Sequence, residues 1–202
     1  WLERIWREHS QKITWSLVGI VVVVLAVYLF AQKQERERVN AASVFTEALE
    51  KVNSETPEEA LTLTDQVIDK YSGNAVEGPA LLLKGNMLYK QEDYSGAIEI
   101  YEKLAGGGKP TLAAQAHLSM AACYESLEQP EKAEQNYRKV MESYPASGFS
   151  QAARFELAKL LERQERPEEA VVFYQEIPED SPYYEEAQDR VEWINAPVVA
   201  LQ

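Results

Sequence analysis

Four short stretches decide how this chain is read: Thr56-Pro57-Glu58-Glu59-Ala60, Asp93-Tyr94-Ser95-Gly96-Ala97, Gln129-Pro130-Glu131-Lys132-Ala133 and Arg166-Pro167-Glu168-Glu169-Ala170. Their alanines stand 37, 36 and 37 residues apart. A fixed phase over four units marks stacked repeats, because an unrelated bundle has no reason to keep it. Each stretch reads as a helix start. In three of them proline occupies the first helical position, where its missing N–H has no intrahelical partner to lose, and acidic residues behind it oppose the helix macrodipole.

Working outward, a second small residue lies twelve positions before each alanine: Ala48, Gly85, Ala121 and Ala158. Small residues on both members of a helix pair let two backbones approach closely. Four positions after three of the alanines comes an aromatic, Tyr101, Tyr137 and Tyr174, suited to pack over the neighbouring pair, whereas the first unit has Thr64 there. Turn chemistry closes the units at Tyr71-Ser72-Gly73-Asn74, Gly106-Gly107-Gly108-Lys109-Pro110, Tyr144-Pro145 and Ser181-Pro182.

These residues resemble the tetratricopeptide repeat: a small residue in helix A, alanine in helix B, an aromatic four later and proline at the end. The resemblance implies an all-α fold, a right-handed superhelical α-solenoid of about four helix pairs over residues 44–73, 77–109, 111–145 and 149–181. The packing residues carried over are Ala60, Gly85, Ala97, Tyr101, Ala121, Ala133, Tyr137, Ala158, Ala170 and Tyr174. After Pro182, the segment 183–195 predicts one more amphipathic helix, with Tyr184, Ala187, Val191 and Ile194 on a shared face to close the open end of the solenoid. Residues 196–202 form a tail.

Upstream the chain changes character. Residues 13–32, ITWSLVGIVVVVLAVYLFAQ, contain no charge, and 16 of these 20 are apolar. As a helix the run spans about 30 Å, the thickness of a bilayer's hydrocarbon core. Trp15, Tyr28 and Phe30 stand where interfacial aromatics are expected, and Lys12 and Lys33 bracket the run. A cleaved signal peptide would need a small-x-small site, which Leu29 before Ala31 does not supply. We therefore expect a charged tail over 1–12, a membrane helix over 13–32 and a helical linker over 33–43. The positive-inside count is a tie, Arg4, Arg7 and Lys12 against Lys33, Arg36 and Arg38, so charge alone leaves the orientation open.

The whole sequence has 20 Lys+Arg against 33 Asp+Glu, a net charge of −13. Residues 1–38 carry +2 and residues 39–202 carry −15. Nucleic-acid binding would need clustered cations and is excluded. The acidic domain is also repelled by an anionic membrane surface. A lone Cys123 excludes a disulfide framework, and a buried thiol is its expected role. His117 lies six residues away on another helix face, and no His or Cys cluster has metal-ligand spacing. Gly106–Lys109 lacks the first glycine, the Lys-Ser/Thr pair and the preceding strand of a phosphate loop. No catalytic residue, cofactor, metal or small-molecule substrate is expected; the chain reads as a binding protein and not an enzyme.

The repeat resemblance implies a groove lined by helix A residues: Phe45 and Leu49; Leu82, Asn86 and Tyr89; Leu118, Ala122 and Glu125; Phe155, Lys159 and Glu162. One position is apolar in every unit, Phe45, Leu82, Leu118 and Phe155, which fits either a stripe for a partner segment or ordinary packing between neighbouring A helices. Leucines 82 and 118 stand where family members that clamp a partner's terminal carboxylate need lysine, so that mode is not expected.

In its order of parts the chain is similar to the bacterial ancillary subunit family of the Sec translocon. That resemblance implies a cytoplasmic tail, an inner-membrane helix, a periplasmic repeat domain, and partners among translocon subunits and periplasmic chaperones. An anchored scaffold of an envelope or cell-division assembly and a cytoplasm-facing receptor are the alternatives.

Overall fold

The computed structural model describes residues 2–52 and 57–196. Thr56 of the first repeat start and residues 197–202 of the expected tail lie outside the described residues. All secondary structure among the described residues is helical: α1 (Leu2–Lys51), α2 (Pro57–Lys70), α3 (Glu77–Lys90), α4 (Tyr94–Gly106), α5 (Pro110–Ser126), α6 (Pro130–Ser143), α7 (Phe149–Arg163), α8 (Pro167–Gln175) and α9 (Tyr184–Asn195). They fall into two compact units, residues 1–76 and 77–202.

In the first unit α1 is a single helix of 50 residues, about 75 Å long at 1.5 Å per residue. Apolar run, charged linker and the first helix A follow one another without a break, because residues 33–43 offer strong helix formers and neither Pro nor Gly. The helix is long and apolar enough to cross a membrane, and from Thr14 to Asn40 every side chain is exposed, covered by none of the described residues. The face then changes. Ala41 and Ala48 are fully buried on α1, opposite Ala60, Thr64 and Val67 at helical spacing on α2 and Tyr71 just after it. Thr64, standing where the other units carry tyrosine, keeps its buried hydroxyl satisfied by donating to the Ala60 carbonyl at 2.6 Å. Lys51 and Glu59 tie the two helices at 2.7 Å.

The second unit is a solenoid of three helix pairs, α3/α4, α5/α6 and α7/α8, with α9 packed on α8. Helices α3, α5 and α7 touch in succession, so the A helices form one continuous layer. Ala97, Ala121, Ala133, Ala158 and Ala170 are fully buried at the crossings, and Tyr101, Tyr137 and Tyr174 are buried beside them. A side chain at Gly85 would run into the Tyr101 ring, which explains why that crossing takes glycine. The last pair is covered as expected: Ala187 is fully buried, and Tyr184, Val191 and Ile194 pack against the core formed by α5 to α8.

Each A-to-B turn of the second unit is the same device. Glu92, Glu128 and Glu165 occupy the left-handed region, at φ 63°, 55° and 59°. The next residue's N–H reaches back to a carbonyl one turn inside helix A: Asp93 to Leu88 at 3.0 Å, Gln129 to Tyr124 at 2.8 Å and Arg166 to Leu161 at 2.9 Å. These are Schellman closures, which satisfy the last carbonyls of one helix while redirecting the chain into the next.

Candidate partner-binding face

The side chains along the A helices of the second unit form a repeated polar lattice. On α5, Glu125 accepts a hydrogen bond from the Tyr137 hydroxyl of its own helix B at 2.6 Å, and its other oxygen pairs with Arg163 of the following helix A. One repeat later Glu162 accepts from Tyr174 and pairs with Arg190 of α9 at 3.5 Å. Each carboxylate thus closes one bond inside its pair and one to the next.

The unit built on α3 varies this arrangement. Tyr101 donates to Asn86 at 2.7 Å, and the hydroxyls of Tyr89 and Ser126 meet at 3.3 Å across to α5. Glycine explains the change: with no methyl at residue 85 the Tyr101 ring lies over the backbone and its hydroxyl reaches the adjacent residue. At the Ala121 and Ala158 crossings the hydroxyl instead reaches a turn farther along helix A, to Glu125 and Glu162. Burial first, and then the neighbouring carboxylate, push the hydroxyls of Tyr137 and Tyr174 far above their ordinary value. Burial pushes Tyr101 up to about 12. All three therefore stay protonated as donors at neutral pH.

Of the residues expected to line a groove, Phe45 is half-buried and Leu49 exposed on the last turns of α1, in the first unit. In the second unit Leu82 is half-buried, and Asn86 and Tyr89 are exposed, with Tyr89 edge-on to Tyr94 at 5.2 Å between ring centres. Leu118 packs against the core, and Ala122 and Glu125 are half-buried beside it. Phe155 is only 3% exposed. Its ring lies 5.1 Å from Tyr183 and 5.7 Å from Tyr174, with the Lys159 ammonium above it at 5.3 Å. It is a core residue and offers a partner almost no surface. Lys159 also pairs with Glu156 at 3.1 Å, and Glu162 is held in the lattice. The structure thus brings α3, α5 and α7 positions onto one layer, but their charges already have internal partners.

The reaching partners Ser126, Arg163 and Arg190 were not among the expected residues. A signal for two of them exists in the sequence: Ser126 and Arg163 each directly follow the groove residue of their unit and stand 37 residues apart. Arg166 was also missed; it joins Glu134 of α6 at 2.8 Å to Glu169 of α8 at 2.7 Å. His117 donates through Nδ1 to Asn136 at 2.9 Å, the Asn136 amide being committed to the Lys132 carbonyl. Burial pushes the Cys123 thiol up to about 11, which makes it inert as a nucleophile at neutral pH. Among the described residues no group of three or more His, Cys, Asp or Glu could hold a metal ion.

A layered stack of helix pairs with a polar face defines the class: a helical-repeat protein. The family model described as a tetratricopeptide repeat-like domain matches residues 3–111, and a tetratricopeptide repeat model matches residues 124–185. The chain belongs to the tetratricopeptide repeat-like domain family, whose fold serves as a protein–protein interaction module. No curated protein matches the chain. Among solved structures it is similar to MamA from Desulfovibrio magneticus RS-1, with 20% identity over 74% of this chain and 77% of that one and a TM-score of 0.56. A tetratricopeptide repeat protein from Parabacteroides merdae matches with 17% identity over 76% of this chain and 59% of that one, TM-score 0.60. YrrB, described as a tetratricopeptide repeat protein with an unusual peptide-binding site, matches with 20% identity over 83% and 81%, TM-score 0.56. At these identities the likeness is one of fold.

Proposed function

We propose that the chain is a single-pass inner-membrane protein whose repeat domain stands in the periplasm and captures protein partners, as an ancillary subunit of the Sec translocon that links it to periplasmic chaperones. The observation that carries the anchored reading is α1: one unbroken helix takes the exposed apolar run directly into the first repeat pair, leaving no flexible joint between them. An apolar surface of that length in water would be a severe aggregation liability, and a bilayer relieves it. Recognition falls to A-helix side chains that remain accessible within each unit: Leu49 in the first, and Leu82, Asn86 and Tyr89 in the second. The lattice around Glu125 and Glu162 holds the layer in shape rather than contacting the partner. Binding, not turnover, is its role.

Photo-crosslinkers placed at Leu49, Leu82 and Tyr89 in living cells, with the adducts identified, test this reading. Translocon subunits or periplasmic chaperones among the adducts support it. Adducts confined to envelope or division proteins would favour the scaffold. A reporter active only in the periplasm, fused after residue 202, tests the topology; silence there with an active cytoplasmic reporter overturns it.

A further inference from the structure

We infer that the cleft between α1 and the turn after α2 binds the phosphodiester headgroup of an anionic glycerophospholipid, through Arg38 and Lys70 with Gln34, Ser72 and Asn74 around them. The inference rests on the anchored reading of α1 and assigns a ligand to the point where the repeat domain meets the bilayer.

Helix α2 runs back along α1, so its carboxyl end and the turn Tyr71–Asn74 return to the level of Gln34, Glu37 and Arg38. Together these residues enclose an open cleft of about 260 Å³. Gln34 and Arg38 lie two and six residues beyond the last residue of the apolar run, which is about 3 and 9 Å along the helix. The polar headgroup layer occupies roughly the first 5–8 Å outside the hydrocarbon. The cleft therefore opens at headgroup depth.

Its charge sets it apart from the domain it belongs to. Residues 39–202 carry −15, yet the cleft holds two cations, Arg38 and Lys70, against the single carboxylate of Glu37. Glu37 faces Lys33 at 3.7 Å, and Arg38 lies 3.4 Å from Glu35. Both pairs are long and between half and three-quarters exposed, in contrast to the short bridges that lock the second unit. Such pairs contribute little, so Arg38 can turn to a phosphate, with which it makes charge-assisted bonds. Lys70 stands over the Tyr71 ring at 5.4 Å, which holds its stem at the wall and opposes the negative end of the α2 dipole. Gly73, at φ 77°, carries the chain round without a side chain, and the space beside it is open. Net charge, depth and hydrogen-bonding groups together match a singly anionic headgroup.

The test uses the full chain in nanodiscs of phosphatidylcholine alone or mixed with phosphatidylglycerol, reading backbone amide exchange over residues 71–76. Two surface cations at headgroup depth favour anionic lipid, so phosphatidylglycerol is expected to slow exchange by about tenfold or more. In Arg38→Gln/Lys70→Gln the slowing is expected to vanish. Equal exchange in both lipids, or unchanged slowing in the double variant, overturns the inference. So does equal protection of the micelle-solubilised chain by inorganic phosphate, which would make the cleft an ion site. Flotation with vesicles is scored separately: a chain that fails to float overturns the anchored reading and this inference with it, whereas one that floats without headgroup-dependent protection overturns only the inference.

Discussion

Three glutamates hold a backbone conformation that favours glycine. Glu92, Glu128 and Glu165 sit at φ between 55° and 63° in equivalent turns. An L-residue there costs about 1–2 kcal/mol, partly offset by the greater entropy glycine loses on folding. Glu128→Gly is therefore expected to stabilise the domain by up to about 1 kcal/mol, and Glu128→Val, β-branched at positive φ, to destabilise it; thermal melts of the two variants read the sign. Cys123 supplies a second measurement at this scale. Burial raises its thiol from 9.0 to about 11. Because the folded value lies above the unfolded one, the stabilisation is complete below pH 9 and is lost as pH climbs toward 11. Urea titrations across that window should show stability falling with pH, with a shallower fall in Cys123→Ala.

Between elements, stability resides in bonds that cross from one repeat to the next. The Tyr137–Glu125–Arg163 chain joins α6, α5 and α7. Removing the tyrosine hydroxyl with Tyr137→Phe leaves a half-buried carboxylate one donor short, at a loss of about 1.5–3 kcal/mol. Combining it with Arg163→Gln should give a non-additive loss in a double-mutant cycle, and strict additivity would mean the two bonds are independent. Glu134 behaves differently with pH. Burial pushes its carboxyl up, but hydrogen bonds from Arg166 and Arg138 outweigh this and hold it below its ordinary 4.5. A lowered folded value means that its contribution is present above pH 4.5 and disappears as pH falls through the depressed value. Acid titration of melting temperature should accordingly lose a component below pH 4.5 in wild type that is smaller in Arg166→Gln, where Arg138 alone still holds the carboxylate.

At the scale of the molecule, a solenoid must close its last layer. Helix α9 covers a surface that includes Phe155 and Tyr174, with Tyr183 stacked on the Phe155 ring at 5.1 Å. Truncation after Pro182 uncovers that surface, and the truncated domain is expected to melt lower and to aggregate, which light scattering during a thermal ramp will detect. Helix α1 acts at the other end of the chain. It continues from the apolar run into the first pair without a break, so the run and that pair share one helix axis.

The repeat phase, the helix starts at Pro57, Pro130 and Pro167, the small residues at the crossings and the closing helix were all legible in the sequence. They rest on local rules, since periodicity, capping and small side chains act within a turn or two of chain. The uncharged run 13–32 was equally plain, because its signal is composition over its own length. The fate of the groove residues was not legible. Phe155 and Leu82 look alike as apolar helix A positions, yet one is sealed under Tyr183 and the other is half-open, because burial depends on what the following repeat brings. Nor could the sequence assign Glu125 to Tyr137 and Arg163, or send Tyr101 to Asn86, since those pairs join side chains 12, 38 and 15 residues apart on different helices. Local pattern specified the helices; only packing between repeats decided which of their side chains remain for a partner.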